Sequence, residues 1–179
     1  MNHLKDRNFD PNSLEGEFNL AEMWATPRAA RLRAGVFAGI FAGIMMQIFG
    51  IIFHIFTGDE LLKGMKIAAL PVLGREALAY GVGPGLFVGL AMFFLLSIIL
   101  GVAYAHFTGI NNKKGLFGIG LTWAAFSWVF ITCLFSPSFR SYHEADISRG
   151  AMFFAWIVFG LSLMSVAWFD RVGYQEKKK

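Results

Sequence analysis

Two histidines in apolar surroundings are the side chains of this sequence best suited to bind a cofactor. His54 and His106 each lie near one end of a long apolar run. Imidazole is an axial ligand of haem. Gln47 shares a helical face with His54, because seven residues correspond to about two turns. We therefore take His54, Gln47 and His106 as candidate cofactor-binding residues. Haem, chlorophyll or carotenoid, and quinone are the cofactors considered, although the sequence requires none.

A single haem held by both histidines is disfavoured by their positions. His54 comes at the end of the first apolar run and His106 at the end of the second. If the two runs form antiparallel helices, the histidines lie ~20–30 Å apart along the bundle. A metal site is the alternative for His54, with His143 and nearby loop carboxylates as the other ligands. No ligand spacing in the sequence singles out this site.

The sequence contains no recognisable arrangement of catalytic residues. The sequence contains no nucleophile with a neighbouring base, no phosphate-binding loop following a strand and no zinc-protease motif. The lone cysteine, Cys133, excludes an intrachain disulfide. We therefore predict that the protein is not an enzyme.

Four apolar runs dominate the chain, at residues 34–57, 84–107, 115–135 and 150–169. Each is long enough as a helix to span a hydrocarbon core of about 30 Å. None contains Asp, Glu, Lys or Arg, which argues against a proton relay or an ion pump. The sequence therefore predicts an all-α integral membrane bundle of four transmembrane helices.

The distribution of positive charge predicts the orientation of the bundle. Eleven of the sixteen Lys and Arg residues fall on the side that carries both termini. Cytoplasmic loops are enriched in these residues, so both termini are expected in the cytoplasm. We divide the chain into an arm with an amphipathic helix (1–33), a transmembrane domain (34–170) and a basic tail (171–179). The net charge of +4 is explained by this distribution, and nucleic acid is not an expected partner.

The outer loops are expected at residues 58–83 and 136–149. In the first loop, apolar residues recur at helical spacing after Glu60 and again after Pro71. This pattern favours two short amphipathic helices at the membrane surface.

Similar tetrapeptides begin at Gly35 and Gly115 and, in the partner helices, at Ala91 and Ala151. Two duplicated hairpins would produce such a pattern, and so would chance identity in a Phe-rich apolar sequence.

Glycines recur at small-xxx-small spacing on the first two transmembrane helices. Such spacing allows helix backbones to approach closely. The alternative is a cofactor lying against the glycine face. The predicted helix-packing residues are Gly35, Gly39, Gly43, Gly50, Gly81, Gly85 and Gly89. Trp123 and Trp128, well inside the third run, could line a cleft for a pigment or a quinone, or simply pack between helices.

Two local features resemble small, uncharacterised four-helix bacterial inner-membrane proteins. They are the glycine-rich first helix after an arginine cluster and the Lys113-Lys114-Gly115-Leu116-Phe117-Gly118 start of the third helix. The resemblance covers the membrane part only. It implies a location in the bacterial inner membrane, and no site residue is transferred from it.

Three functions are compatible with the sequence. The favoured one is a non-catalytic accessory subunit of a larger membrane complex, of respiratory or photosynthetic type, with lipid and other subunits as partners. The alternatives are a haem- or pigment-binding membrane protein and a passive module for small solutes or lipids, built as an oligomer.

Overall fold

The chain folds into helices throughout the residues that can be described. The computed structural model describes residues 29–58, 60–79, 81–108, 113–131 and 149–170, and all regular structure in these ranges is helical. The all-α prediction is confirmed for them. The predicted amphipathic helix of the arm, nearly all of the loop predicted at 136–149 and the basic tail lie outside the described residues.

The described part of the chain contains six α-helices and two 3₁₀ turns, with two π-helical residues at 130–131 after the fifth α-helix. The 3₁₀ turn Gly74–Leu78 follows α3, and Leu163–Ser165 follows α6, after which residues 166–170 are again helical. The helices are α1 (Ala29–Thr57), α2 (Lys63–Ile67), α3 (Leu70–Leu73), α4 (Pro84–Phe107), α5 (Lys113–Val129) and α6 (Arg149–Ser162).

Three of these helical stretches are long and apolar enough to cross a membrane. They are Arg31–Thr57, Pro84–Phe107 and Gly150–Asp170, with mean hydropathies of 2.3, 2.7 and 2.0. They correspond to the first, second and fourth predicted runs. Helix α5 is apolar but shorter, at Gly115–Val129, and the run predicted there extends to residue 135, past the described residues.

Helix α1 lies between two neighbours. It packs along α4 on one side and against α6 on the other, and α5 packs mainly on α6. We call the two ends of the bundle the Arg31 end and the His54 end, after residues of α1. Gly35 lies beside Ala105, and Gly39 beside Ser97. Because the residue numbers run in opposite directions, α1 and α4 are antiparallel.

The contact between α1 and α4 is a backbone contact made possible by glycine. A Cβ added at Gly39 would lie 2.4 Å from the carbonyl oxygen of Ser97. One added at Gly101 would lie 2.5 Å from the carbonyl oxygen of Gly35. A Cβ at Gly43 would lie 3.1 Å from the Ser97 hydroxyl oxygen. The structure therefore places Gly35, Gly39 and Gly43 against α4. At Gly35 and Gly39 an added side chain would meet backbone atoms and push the helices apart, whereas at Gly43 it would meet side chains only.

The contact between α5 and α6 uses a second glycine pair. A Cβ at Gly160 would lie 2.3 Å from the carbonyl oxygen of Gly120 and 2.6 Å from the Cβ of Ala124. Sequence reasoning did not identify this pair. The Gly120-xxx-Ala124 spacing in the sequence is a usable signal for it.

At the Arg31 end of the bundle, the helices are held together by hydrogen bonds and by contacts between aromatic rings. Arg31 Nε donates to the carbonyl oxygen of Ala105 at 2.8 Å. The fully buried Tyr104 donates through its hydroxyl to the carbonyl oxygen of Leu116 at 3.3 Å. Its ring meets Trp123 edge-on at a centroid distance of 5.9 Å. These contacts tie α1, α4 and α5 together and pack Trp123 against Tyr104.

Candidate ligand-binding cavity

The helices separate towards the His54 end and enclose a cavity. Its volume is about 370 Å³, within the range of small-molecule sites. Helices α1, α4 and α6 form its walls, and residues of α2 and α3 contribute to one end. Gly50 lines it, and a Cβ added there would meet nothing within 4 Å. Unlike Gly35 and Gly39, this glycine therefore faces open space.

The cavity wall is apolar with three polar side chains. Gln47 and His54 come from α1 and Ser97 from α4. Among the described residues that line the cavity, none is Asp, Glu, Lys or Arg. Within the described part of the chain, the Gln47 amide has no hydrogen-bond partner. Gln47 is half-buried, and an amide in apolar surroundings gains free energy from a partner, so Gln47 is a group to which a ligand could hydrogen-bond.

His54 lies at the end of the cavity nearest the short helices. It is 7% exposed, and its Nε2 is 3.5 Å from the position that a Cβ of Gly64 would occupy. The structure therefore brings Gln47 and His54 to one cavity, separated by about two turns of α1. This arrangement could hold an elongated ligand along the helix.

His106 lies elsewhere. With Gly39 beside Ser97, His54 is fifteen residues towards one end of the bundle and His106 nine residues towards the other. At 1.5 Å per residue the two histidines are about 36 Å apart along the bundle axis. His106 is half-buried against the ring of Phe107. The structure thus does not bring together the two histidines that a bis-histidine haem would need.

The metal site predicted at His54 and His143 includes a residue that the structure does not describe. His143 is not among the described residues. In the described ranges, no group of three or more His, Cys, Asp or Glu residues could hold a metal ion.

The segment between α1 and α4 folds back onto α4. We call residues 60–79 the cap segment. A Cβ at Gly85 would lie 2.1 Å from the carbonyl oxygen of Ala77, and one at Gly89 would lie 2.1 Å from that of Met65. These two glycines of α4 therefore allow close contact with the cap segment rather than with another long helix. Gly81 instead has a positive φ of 82°, and an added Cβ would meet nothing within 4 Å.

A buried ion pair holds the cap segment in place. Lys66 is 1% exposed, and its ammonium group donates to Glu60 Oε1 and to the carbonyl oxygen of Ala79. The amide of Gly81 donates to the same carboxylate oxygen at 3.0 Å. Lys66 therefore links the two ends of the cap segment, at Glu60 and Ala79. Sequence reasoning placed Lys66 in a surface loop and did not identify this pair.

The electrostatics of Glu60 follow from these contacts. Desolvation by burial acts to raise the pKa of the carboxyl group, but it is outweighed. The hydrogen bonds from Lys66 and Gly81, with the charges of Lys66 and Lys63, hold the pKa of Glu60 below its ordinary value of 4.5.

Acidification is expected to loosen the cap segment. A depressed pKa means that the folded chain binds this proton less readily than the unfolded chain, so ionised Glu60 stabilises the fold above pH 4.5. This contribution is lost as the pH falls through the depressed pKa. As the pH is lowered from neutral, the thermal midpoint of the wild type should therefore fall more steeply than that of Glu60→Gln. Parallel curves would show that Glu60 contributes nothing.

Aromatic side chains complete the cavity, but they are not the ones that the sequence singled out. Trp156 and Phe159 of α6 line it, with Phe53 of α1 and Phe93 of α4. Trp123 packs at the opposite end against Tyr104. Trp156 belongs to a Phe-rich run, where nothing in the sequence distinguishes a cavity-lining ring from a lipid-facing one.

Comparison of the chain with protein-family models, with curated proteins and with solved structures finds no match.

Proposed function

We propose that the protein is a non-catalytic, multi-pass membrane protein that holds one small lipophilic molecule. The cavity at the His54 end carries this proposal. It is apolar, of small-molecule size, and lined by a few polar groups that could orient a ligand. Its polar residues Gln47, Ser97 and His54 have no carboxylate or lysine beside them in the described lining, which supports binding rather than acid–base chemistry.

We further propose that the chain crosses the bacterial inner membrane four times, with α5 as part of the third crossing. The count of Lys and Arg then orients the His54 end outwards and the Arg31 end towards the cytoplasm. In this arrangement the cavity lies in the outer half of the bilayer, where a molecule dissolved in the lipid can reach it.

Holding a ligand is better supported than passage of a solute through one chain. The cavity lies at one end only. Towards the other end, Gly39 and Gly101 bring α1 and α4 into backbone contact, and Tyr104 is fully buried. These contacts leave little room for a path between α1 and α4.

The accessory-subunit role stays a prediction. Phe87 of α4 and Phe154 of α6 are 65% and 59% exposed, and such side chains would face lipid or a partner helix equally well. Native electrophoresis after mild extraction separates the two cases, because a subunit would migrate with its partners.

Saturable binding of an apolar probe tests the proposed function. We expect purified protein in detergent to bind N-phenyl-1-naphthylamine at one molecule per chain. Bound probe is measured chemically after rapid gel filtration, against empty micelles at the same detergent concentration. Uptake that rises in proportion to probe concentration, as in empty micelles, would contradict the proposal.

A further inference from the structure

We infer that the ligand is a neutral, planar carbonyl compound with an apolar tail, of the quinone type, and that Gln47 donates a hydrogen bond to its carbonyl oxygen. This inference rests on the proposed function and specifies the chemical class that the cavity selects. Charge, hydrogen bonding, ring surfaces and the position of the cavity opening each bear on it.

Neutrality follows from the residues around the cavity. The described lining has no ionisable side chain apart from His54. The nearby ammonium group of Lys66 is already bound by Glu60 and by the carbonyl oxygen of Ala79. A phosphate or carboxylate head would therefore enter an apolar space without a partner charge, at a large cost in desolvation.

Gln47 supplies the donor that a carbonyl ligand needs. Its amide has no hydrogen-bond partner in the described part of the chain, and its NH₂ group offers two donors. A saturated acyl chain would leave this amide unsatisfied, whereas a ring carbonyl accepts from it. Ser97, about one turn deeper, lies beside Gly43 and offers a hydroxyl on the facing helix.

The ring surfaces favour a flat ligand over a flexible one. Aromatic side chains reach the cavity from three helices, as Phe53 from α1, Phe93 from α4 and Trp156 from α6. Trp156 is held edge-on against Phe159 at a centroid distance of 5.4 Å. Such preorganised rings stack on a planar ring with little loss of side-chain entropy.

The cavity also has a way out for a tail. Leu95 and Ile99 line it but are 60% and 55% exposed on the surface of α4. These residues therefore mark an opening on the side of the bundle. A ring bound between Gln47 and Trp156 can extend its apolar tail past them into surrounding lipid.

Competition between matched compounds tests the ligand class. Decylubiquinone and dodecylbenzene both carry a ring and an alkyl tail, but only the quinone has ring carbonyls. We expect decylubiquinone to displace N-phenyl-1-naphthylamine from the wild type at lower concentration than dodecylbenzene. In Gln47→Leu the quinone should bind about tenfold more weakly, as expected for one lost hydrogen bond. Bound probe is quantified after gel filtration, because quinones quench fluorescence.

The thermal midpoint and the gel-filtration profile control for folding of the variant. Competition is analysed with the probe affinity measured for Gln47→Leu itself, because the N–H of N-phenyl-1-naphthylamine can donate to the Gln47 carbonyl oxygen. Equal displacement by the two competitors, unchanged in Gln47→Leu, would overturn the quinone-type ligand and leave the proposed function standing, with a lipid chain as occupant. Absence of saturable probe binding to the wild type would overturn both.

Discussion

Replacement of Gly39 by leucine is expected to prevent the native bundle from forming. A Cβ at this position would lie 2.4 Å from the carbonyl oxygen of Ser97 and 3.0 Å from the Cα of Ile98. Both are backbone atoms, so no change of side-chain rotamer relieves the contact, and α1 and α4 must separate. Overpacking usually costs about 1–3 kcal/mol, and we expect Gly39→Leu to reach at least the upper part of that range. The measurement is the yield of monodisperse protein after extraction, with its thermal midpoint.

Gly118→Leu is the matched control for this substitution. Gly118 is also a helical glycine, but it is exposed, and an added Cβ would meet nothing within 4 Å. Leucine exceeds glycine in helix propensity by about 0.5–1 kcal/mol, so the control should be as stable as the wild type or slightly more stable. Equal stability of Gly39→Leu and Gly118→Leu would show that the α1–α4 contact is not close in the native protein.

Replacement of Gly50 by phenylalanine is expected to remove ligand binding while preserving the fold. Gly50 lines the cavity, and nothing lies within 4 Å of an added Cβ. A benzyl group would occupy the space that we assign to the ligand. The affinity for N-phenyl-1-naphthylamine should fall at least tenfold, or about 1.4 kcal/mol. The thermal midpoint should be unchanged or raised, because the substitution fills a cavity.

Gly118→Phe gives the corresponding control on the bundle surface. It adds the same side chain to another open helical glycine, outside the cavity lining. We expect it to bind the probe as the wild type does. Wild-type affinity in Gly50→Phe, with the fold intact, would mean that the probe binds elsewhere.

Features that depend on local pattern were predictable from the sequence. Hydropathy and length identified the runs that became α1, α4 and the stretch Gly150–Asp170. Small-residue spacing identified Gly35, Gly39 and Gly43 as positions where helices approach closely. The first short helix predicted after Glu60 corresponds to α2, whereas the second is a four-residue helix, α3, followed by a 3₁₀ turn. Each of these depends on residues within a few turns of one another.

The cavity depends on contacts between distant parts of the chain, and the sequence did not show it. Periodicity indicates that a face is small or apolar, but not which element covers it. The spacing of Gly85 and Gly89 is typical of a contact between two long helices, yet in the structure these glycines contact the cap segment. Gly50 continues the spacing of Gly43, yet it faces open space. Lys66 is a surface residue by type, and only its pairing with Glu60 makes its burial stable.

Photolabelling of the cavity tests the central claim most directly. The aryl diazirine 3-trifluoromethyl-3-phenyldiazirine is small and apolar, and it reacts where it binds. We predict that the reagent will label cavity residues such as Met46, Phe53, Met92 and Trp156, and that excess N-phenyl-1-naphthylamine will suppress this labelling. The Gly50→Phe substitution should remove the same labelling. Suppressible labelling confined to exposed residues outside the cavity, such as Phe37, Phe87 and Phe117, would contradict the claim that this cavity binds a ligand. Labelling that excess probe does not suppress would also contradict it.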